Sequence, residues 1–425
     1  MTALSAPTID QVAPGLTTRV KDGDLRGTRN ALLGVSVIAL VASIVPMLAE
    51  GEARRTALAS YLTAYMFTLG TALGALFFVL IHHLTRAGWS VVVRRISENM
   101  AATLFPWLAV LFLPLAIWHH DVWHHWMVEG VTDPAAPNYD AVIAGKSAYL
   151  NVPFFFIRAG VYFAVWALLA HWFRNSSLAQ DQDGDPARSL KMARRSAPAM
   201  LAFALTTTFA AFDWIMSLDP HWFSTIFGVV YFAGGVVAMY ATLALFAMWL
   251  GRHGYLREVV NAEHYHDIGK LLFAFMVFWA YTSFSQYMLI WYANLPEETG
   301  WFATRSEGSW NTVFTVLAFG HFLAPLAFLM SRHTKRRQPT LAIAAVFMLV
   351  MHWFDMAYQI MPSMADHGAG DGHAHAGFTL HWTDPVALIG IYGLFLAMSL
   401  RNVIGTPLIP ERDPRLAESM HFHNV

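Results

Sequence analysis

The chain is a succession of apolar segments about twenty residues long, separated by shorter polar ones. Ten such segments are apparent, near 29–49, 60–83, 101–118, 150–173, 197–217, 223–250, 268–292, 310–330, 340–361 and 384–401. About 20 apolar residues in a helix cross the hydrocarbon core of a bilayer. Backbone polar groups in lipid must be satisfied within the segment, which favours helices. The pattern therefore predicts an all-α integral membrane protein with ten transmembrane helices.

The composition agrees with a membrane protein, and the positions of the apolar segments divide the chain into a membrane domain and two tails. Residues are 56% hydrophobic and only 13% charged. We predict a cytoplasmic N-terminal tail over 1–28, a membrane domain over 29–401 and a cytoplasmic C-terminal tail over 402–425. The segment 1–28 is polar and lacks the apolar region and cleavage site of a signal peptide. No soluble domain is predicted between the spans.

The positive charges indicate the orientation. With the N-terminus inside, the inner segments and the inner ends of the spans hold 22 of the 27 Lys and Arg residues. The outer segments hold four, namely Arg54, Arg55, Lys146 and Arg305, and the remaining one, Arg158, lies inside the fourth span. An excess of Lys and Arg marks cytoplasmic loops. We expect a multi-pass protein of a bacterial inner membrane with both termini cytoplasmic.

A short internal repeat suggests how the spans are grouped. FDWIMSLDP, residues 212–220, ends the fifth span, and FDMAYQIMP, residues 354–362, ends the ninth. An offset of four helices preserves orientation, as in parallel-repeat membrane proteins. We therefore expect two parallel four-helix bundles, helices 2–5 and 6–9, flanked by helices 1 and 10.

Three ionisable side chains within the spans are the first candidates for chemistry. Arg158, Asp213 and Asp355 all lie in the outer third of the membrane by their distance from the span ends. A charge in hydrocarbon is costly unless it is paired or hydrated. We expect Arg158 and Asp213 to form one polar cluster. Such a pair has two readings, a buried ion pair that fixes helix packing and a functional cluster that carries protons or faces a quinone.

Neutral polar residues extend the cluster. Tyr162 lies one turn below Arg158; Tyr281 and Gln286 are in the seventh span, His321 in the eighth and His352 in the ninth. These side chains suit a proton path, although interhelical hydrogen bonding is the commoner role of such residues taken singly. The eighth span has no Arg where the fourth has Arg158. We therefore expect Asp355, Tyr281, Gln286 and His321 to make the second bundle the better proton conduit.

The absence of Cys and the positions of the His residues limit which redox and metal sites the chain can form. The chain has no Cys, so it supplies no thiolate to an iron–sulfur cluster and no attachment site for haem c. His321 and His352 are the one plausible axial pair for a haem b, which we disfavour. His119, His120, His124 and His125 have metal-compatible spacing, but beside Trp118, Trp123 and Trp126 they favour an interfacial belt. No defined metal site is indicated there or in the loop containing His367, His373, His375 and His381.

Two longer motifs carry a resemblance to a known family. FDWIMSLDPHWFSTIFGVVYFAGG, from Phe212, and LLFAFMVFWAYTSFSQYMLIWYANLPEETGWF, from Leu271, resemble the NrfD-like (polysulfide reductase C-like) membrane subunits of bacterial alternative complex III. The likeness extends from the second to the ninth span. The length and short tails are similar to the smaller of the two NrfD-like subunits of that complex.

The resemblance implies a subunit of a quinol-oxidising respiratory complex that passes electrons to cytochrome c or a terminal oxidase. Haem c and iron–sulfur clusters are then expected in partner subunits: multihaem and monohaem cytochromes c, an iron–sulfur protein, a second NrfD-like subunit and small membrane subunits. Quinone nearby and bound lipids are expected, and nucleic acid is not. The alternative is a stand-alone secondary transporter, for which repeats and buried charges are equally natural and broken helices would be the sign.

Overall fold

Helices account for nearly all of the ordered secondary structure. The computed structural model describes residues 16–21, 23–365 and 377–424, and these include no β-strand. Ten helices in the described part are long and apolar enough to cross a membrane. In chain order they are α1 Arg26–Leu48, α2 Glu52–Leu84, α3 Val91–Ile117, α4 Val152–Asp183, α5 Pro186–Leu218, α6 Phe227–Arg252, α7 Ala262–Ala293, α8 Gly308–Met330, α9 Gln338–Met364 and α10 Thr383–Ile404. Each predicted segment overlaps one of them over most of its length, so the predicted number and order are confirmed.

Several helices extend well beyond the predicted apolar segments. The third span was expected from 101, yet α3 begins at Val91; the basic segment 174–196 was expected as a loop, yet only residues 184 and 185 separate α4 from α5. Asp185 caps α5 by accepting the backbone N–H of Ala187 at 2.9 Å. The prediction was wrong here because hydropathy detects the part of a helix within hydrocarbon, and a helix continues past it wherever its polar face is solvated or paired.

The helices α2 and α6 form the centre of the molecule. Both are almost completely buried and pack against each other along their length. Their backbones approach closely at glycines: a Cβ on Gly235 would lie 2.7 Å from the carbonyl oxygen of Gly70, and one on Gly74 would lie 2.9 Å from that of Gly235. Small residues permit such contacts between membrane helices.

The other helices are arranged around this pair. The second helix contacts α3, α5, α9 and α10; the sixth contacts α5, α7 and α9. The helices α4 and α5 pack on each other, and α8 lies between α7 and α9. The first helix packs against α10, which in turn packs against α2.

The C-terminal segment after α10 is docked and does not extend freely. The N–H of Leu408 donates to the carbonyl oxygen of Thr18 at 2.6 Å, so both described ends lie on one side of the bundle, which we call the terminal side. On that side Asp413 accepts from Arg94 at 2.6 Å and Glu98 lies 2.9 Å from Arg95. Arg94 and Arg95 were expected in a loop; they are buried on the first turns of α3. Arg94 pairs with Asp413 of the covering segment, and Arg95 pairs with Glu98 and with Asp181 of α4.

The segment between α3 and α4 lies at the other end of the helices, which we call the opposite side. Trp123 and Trp126 are buried and pack edge-to-face against Phe155. The sequence places them in an interfacial belt; the structure adds that the segment folds back over the start of α4 and buries both rings. An ion pair of 3.1 Å between Arg54 and Asp121 ties this segment to the start of α2.

Candidate functional site

A bidentate ion pair links α4 to α5 near the opposite side. Arg158 donates from Nε to Asp213 Oδ2 at 2.7 Å and from Nη2 to Oδ1 at 2.9 Å. Tyr162, one turn further along α4, donates to the same Oδ2 at 2.7 Å. Asp213 is 1% exposed and Arg158 8%. The structure thus brings Arg158, Tyr162 and Asp213 together, as the sequence predicted for Arg158 and Asp213.

The segment entering α4 completes the surroundings of the arginine. Asn151 caps α4 by accepting the N–H of Phe154, which fixes the preceding residues. Arg158 donates its Nη1 to the carbonyl oxygen of Tyr149 at 2.9 Å and lies over the Tyr149 ring, 3.8 Å from its centroid. Burial raises the pKa of Tyr149, and the Asp213 carboxylate raises it further. Both carboxylate oxygens of Asp213 therefore have donors within the cluster, two from Arg158 and one from Tyr162.

A second polar cluster is centred on Asp355 of α9. Its Oδ2 accepts from the indole N–H of Trp279 in α7 at 3.1 Å, and its Oδ1 accepts from Gln359 Nε2 at 2.9 Å. Within the described residues no Lys or Arg lies within ion-pair distance of Asp355. His352 lies 3.6 Å away, from Nδ1 to Oδ2, and a ring nitrogen of His321 lies within 4.8 Å. The two repeat-related aspartates therefore differ in kind, since one is neutralised by Arg158 and the other has no arginine.

Two buried histidines adjoin Asp355. His321 and His352 are fully buried, their rings 6.4 Å apart, and none of their ring nitrogens has a hydrogen-bond partner. His321 lies in a π-helical segment, Leu317–Leu323, in the middle of α8. Such widened turns often occur at functional sites. On α6, a Cβ at Gly234 would lie 2.7 Å from Cε1 of His352, so the absence of a side chain there makes room for the ring.

A large cavity lies between α7 and α8 and reaches this cluster. Its volume is about 480 Å³ and its wall is mostly apolar and aromatic. Polar groups in the lining are few: Ser283, Gln286, Asp355, Gln359 and the hydroxyls of Tyr281, Tyr287 and Tyr358. Ligand pockets generally have this character, with an apolar wall and a few placed polar groups.

The residues predicted for a proton path in the second half are placed unequally around this cavity. Gln286 is buried and accepts from Ser224 Oγ at 3.1 Å. Tyr281 also lines the cavity but is 66% exposed, at its rim. Asp355 lines the cavity, and His321 and His352 each have a ring nitrogen within 4.8 Å of its carboxylate. Within the described part of the chain Arg158 contacts none of these residues, so the two polar clusters are separate.

Sequence reasoning missed Arg305, which was counted as an outer-loop residue. It lies on the short helix Pro296–Ser306 and is 1% exposed. Pro362 has no N–H to donate to the carbonyl of Tyr358 in the preceding turn; Arg305 Nε donates to that oxygen at 2.9 Å, and Nη2 donates to the Gln359 carbonyl at 3.0 Å. Burial lowers the pKa of Arg305 to about 9, which leaves it charged at neutral pH. The sequence signal for this role was Pro362, because a proline near the end of a helix leaves a backbone carbonyl in the preceding turn in need of another donor.

Only some of the potential metal ligands in the described residues lie close enough together to bind one ion. Among the described residues, one group of three His or acidic side chains has its ligand atoms within 4.8 Å of one another, namely His321, His352 and Asp355. The histidines of the 119–125 segment do not form such a group. His367, His373 and His375 lie outside the described residues.

Comparisons with known proteins place the chain in no family. No family model matches the sequence, and no curated protein matches it.

Proposed function

We propose that the chain is an NrfD-like membrane subunit of a quinol-oxidising respiratory complex of the alternative complex III type, in a bacterial inner membrane. The terminal side is then cytoplasmic, as the excess of Lys and Arg there indicates. The sequence motifs beginning at Phe212 and Leu271 support this identity. The packing of α2 with α3 and α5, and of α6 with α7 and α9, is compatible with two parallel four-helix bundles.

The role we propose for this subunit is to anchor the complex and to carry protons through its second half. The observation that carries it is Asp355, a buried carboxylate with no Lys or Arg partner in the described part of the chain, facing a cavity of about 480 Å³. A carboxylate free of a fixed cation exchanges a proton more readily than one held by arginine. Asp213, already held by Arg158 and Tyr162, serves instead to fix α4 against α5.

The cavity also suits a quinone beside this path. Its aromatic and aliphatic wall would accept an apolar ring and tail, while Gln286 and Gln359 offer polar atoms for ring oxygens. Quinol oxidation releases two protons and two electrons. The chain has no Cys to hold an iron–sulfur cluster or haem c, so in the proposed complex the electrons pass to haem c and iron–sulfur centres of partner subunits, and Asp355 is a station for protons.

Two measurements test the proposal. Affinity purification of the tagged chain from its native membrane should recover c-type cytochromes and an iron–sulfur protein. In proteoliposomes containing that complex, Asp355→Asn should leave quinol oxidation largely intact but lower the number of protons moved per electron. Asp384→Asn is the matched control, because Asp384 is a buried carboxylate that accepts from Ser60 at 2.6 Å and lies outside the cavity. An unchanged ratio in Asp355→Asn would remove the proton path and leave an anchoring subunit.

A secondary transporter remains the second candidate because two spans are irregular. The third helix is interrupted at Phe105, which is extended, and Pro106, and α8 contains the π-helical segment. Broken helices line the substrate sites of many transporters. A chain that purifies without haem and drives solute uptake in liposomes would favour this function over the first.

A further inference from the structure

We propose that His321, His352 and Asp355 form a binding site for a single divalent transition-metal ion, with Zn²⁺ as the best fit. The three side chains come from α8 and α9 and meet beside α6 and α7. Their ligand atoms all lie within 4.8 Å of one another. The site would lie in the membrane interior, at the inner wall of the cavity between α7 and α8.

The unpartnered nitrogens of both histidines point to a bound ligand. A neutral imidazole has one N–H donor and one acceptor nitrogen, and buried polar groups in folded proteins nearly always have a partner. His321 and His352 are 0% exposed, yet neither ring makes a hydrogen bond through either nitrogen. A metal ion coordinated by one nitrogen of each ring would satisfy two of these four atoms at once.

The surroundings provide room and support for an ion. Gly234 leaves open the space against His352, and the π-helical turn displaces His321 from a regular helical position. The carboxylate is held by Trp279 and Gln359, at 3.1 and 2.9 Å. Outer hydrogen bonds of this kind orient metal ligands and are typical of functional metal sites. The adjoining cavity supplies an entry route and a fourth coordination position.

The donor set selects the metal. Two imidazole nitrogens with one carboxylate suit Zn²⁺ and related ions, whereas Mg²⁺ and Ca²⁺ prefer sites made of oxygen ligands. Ligands at 2.0–2.1 Å from a tetrahedral Zn²⁺ lie about 3.4 Å apart. His352 Nδ1 and Asp355 Oδ2 are already 3.6 Å apart, so binding needs mainly a small movement of His321 towards them.

Metal binding is independent of the proposed function, because it is measured without turnover.

The test uses the purified full-length chain, or the complex that contains it, stripped with a chelator and then dialysed against Zn²⁺ or Co²⁺. Wild type should bind one ion more than the His321→Gln and His352→Ala variants, and should show the intense visible absorption of four-coordinate Co²⁺. The difference between proteins is the readout, since exposed histidines also bind Zn²⁺. His83→Ala is the control: this histidine is buried with an unpartnered Nε2 but lies on the terminal side, and its loss should change nothing.

A milder variant guards against misfolding. Trp279→Phe keeps an aromatic side chain, though a smaller one, and removes the N–H that supports Asp355. It should weaken Zn²⁺ binding by about 10- to 100-fold. Equal Zn²⁺ stoichiometry and affinity in wild type, Trp279→Phe and His352→Ala would overturn the proposal and leave water as the partner of the two rings.

Discussion

Removing the carboxylate of Asp213 should strand Arg158 in a buried position. In Asp213→Ala, Arg158 keeps only the carbonyl of Tyr149 and loses both acceptors at 2.7 and 2.9 Å, and Tyr162 loses its acceptor as well. Removing one partner of a buried pair costs about 3–5 kcal/mol because the remaining charge is uncompensated. At about 1.4 kcal/mol per factor of ten, the folded fraction relative to unfolded should fall by roughly 1000-fold.

The assay is equilibrium unfolding in mixed micelles, with an exposed ion pair as the control. Asp121→Ala removes the same chemical group from a pair with Arg54 whose side chains are 24% and 33% exposed. Such pairs contribute about 0–1 kcal/mol. A third protein, Arg158→Met/Asp213→Leu, replaces both charges by apolar groups and should recover most of the loss. If Asp213→Ala is no less stable than Asp121→Ala, the reasoning about a buried, mutually dependent pair is wrong.

Three further predictions concern topology and packing. Reporter fusions at Gly184 and Phe378 should report opposite sides of the membrane, and a shared location would contradict the charge-based orientation. Gly235→Ala should destabilise the protein by about 1–3 kcal/mol through overpacking against α2, whereas Gly160→Ala, with nothing within 4 Å of the added carbon, should stabilise it slightly in the same unfolding assay. Arg305→Gln should speed hydrogen exchange at the end of α9 and lower the thermal midpoint, because the Tyr358 carbonyl loses its donor; unchanged exchange would refute this role.

The apolar segments were enough to predict the ten helices but not their ends. A run of about twenty apolar residues has few alternatives in a membrane protein. The first turns of α3 contain Arg94, Arg95 and Glu98 and therefore have no hydropathy signal. They are buried because Arg94 pairs with Asp413, more than 300 residues away, and Arg95 pairs with Asp181 of α4. Such partners cannot be identified from local sequence.

The individual candidate residues could be predicted from the sequence. Which of them lie together in space could be predicted only in part. The ionisable residues Arg158, Asp213 and Asp355 attract notice because charge is rare in a span. Asp213 is paired with Arg158 and Asp355 has no arginine partner, and this difference depends on which helices are in contact. The convergence of His321 and His352 on Asp355 depends on the π-helical turn and on Gly234, neither of which has a reliable signature in a single sequence.

The glycine contact between α2 and α6 has a mechanical consequence. Where two helices meet through long side chains, those side chains can change rotamer and let the helices slide. At Gly70, Gly74 and Gly235 the backbones themselves are in contact, so sliding there would drive main-chain atoms into each other. Movement of α2 and its neighbours relative to α6 and its neighbours is thereby opposed at the centre of the molecule. The Arg158 and Asp355 clusters are then held at a constant distance from each other.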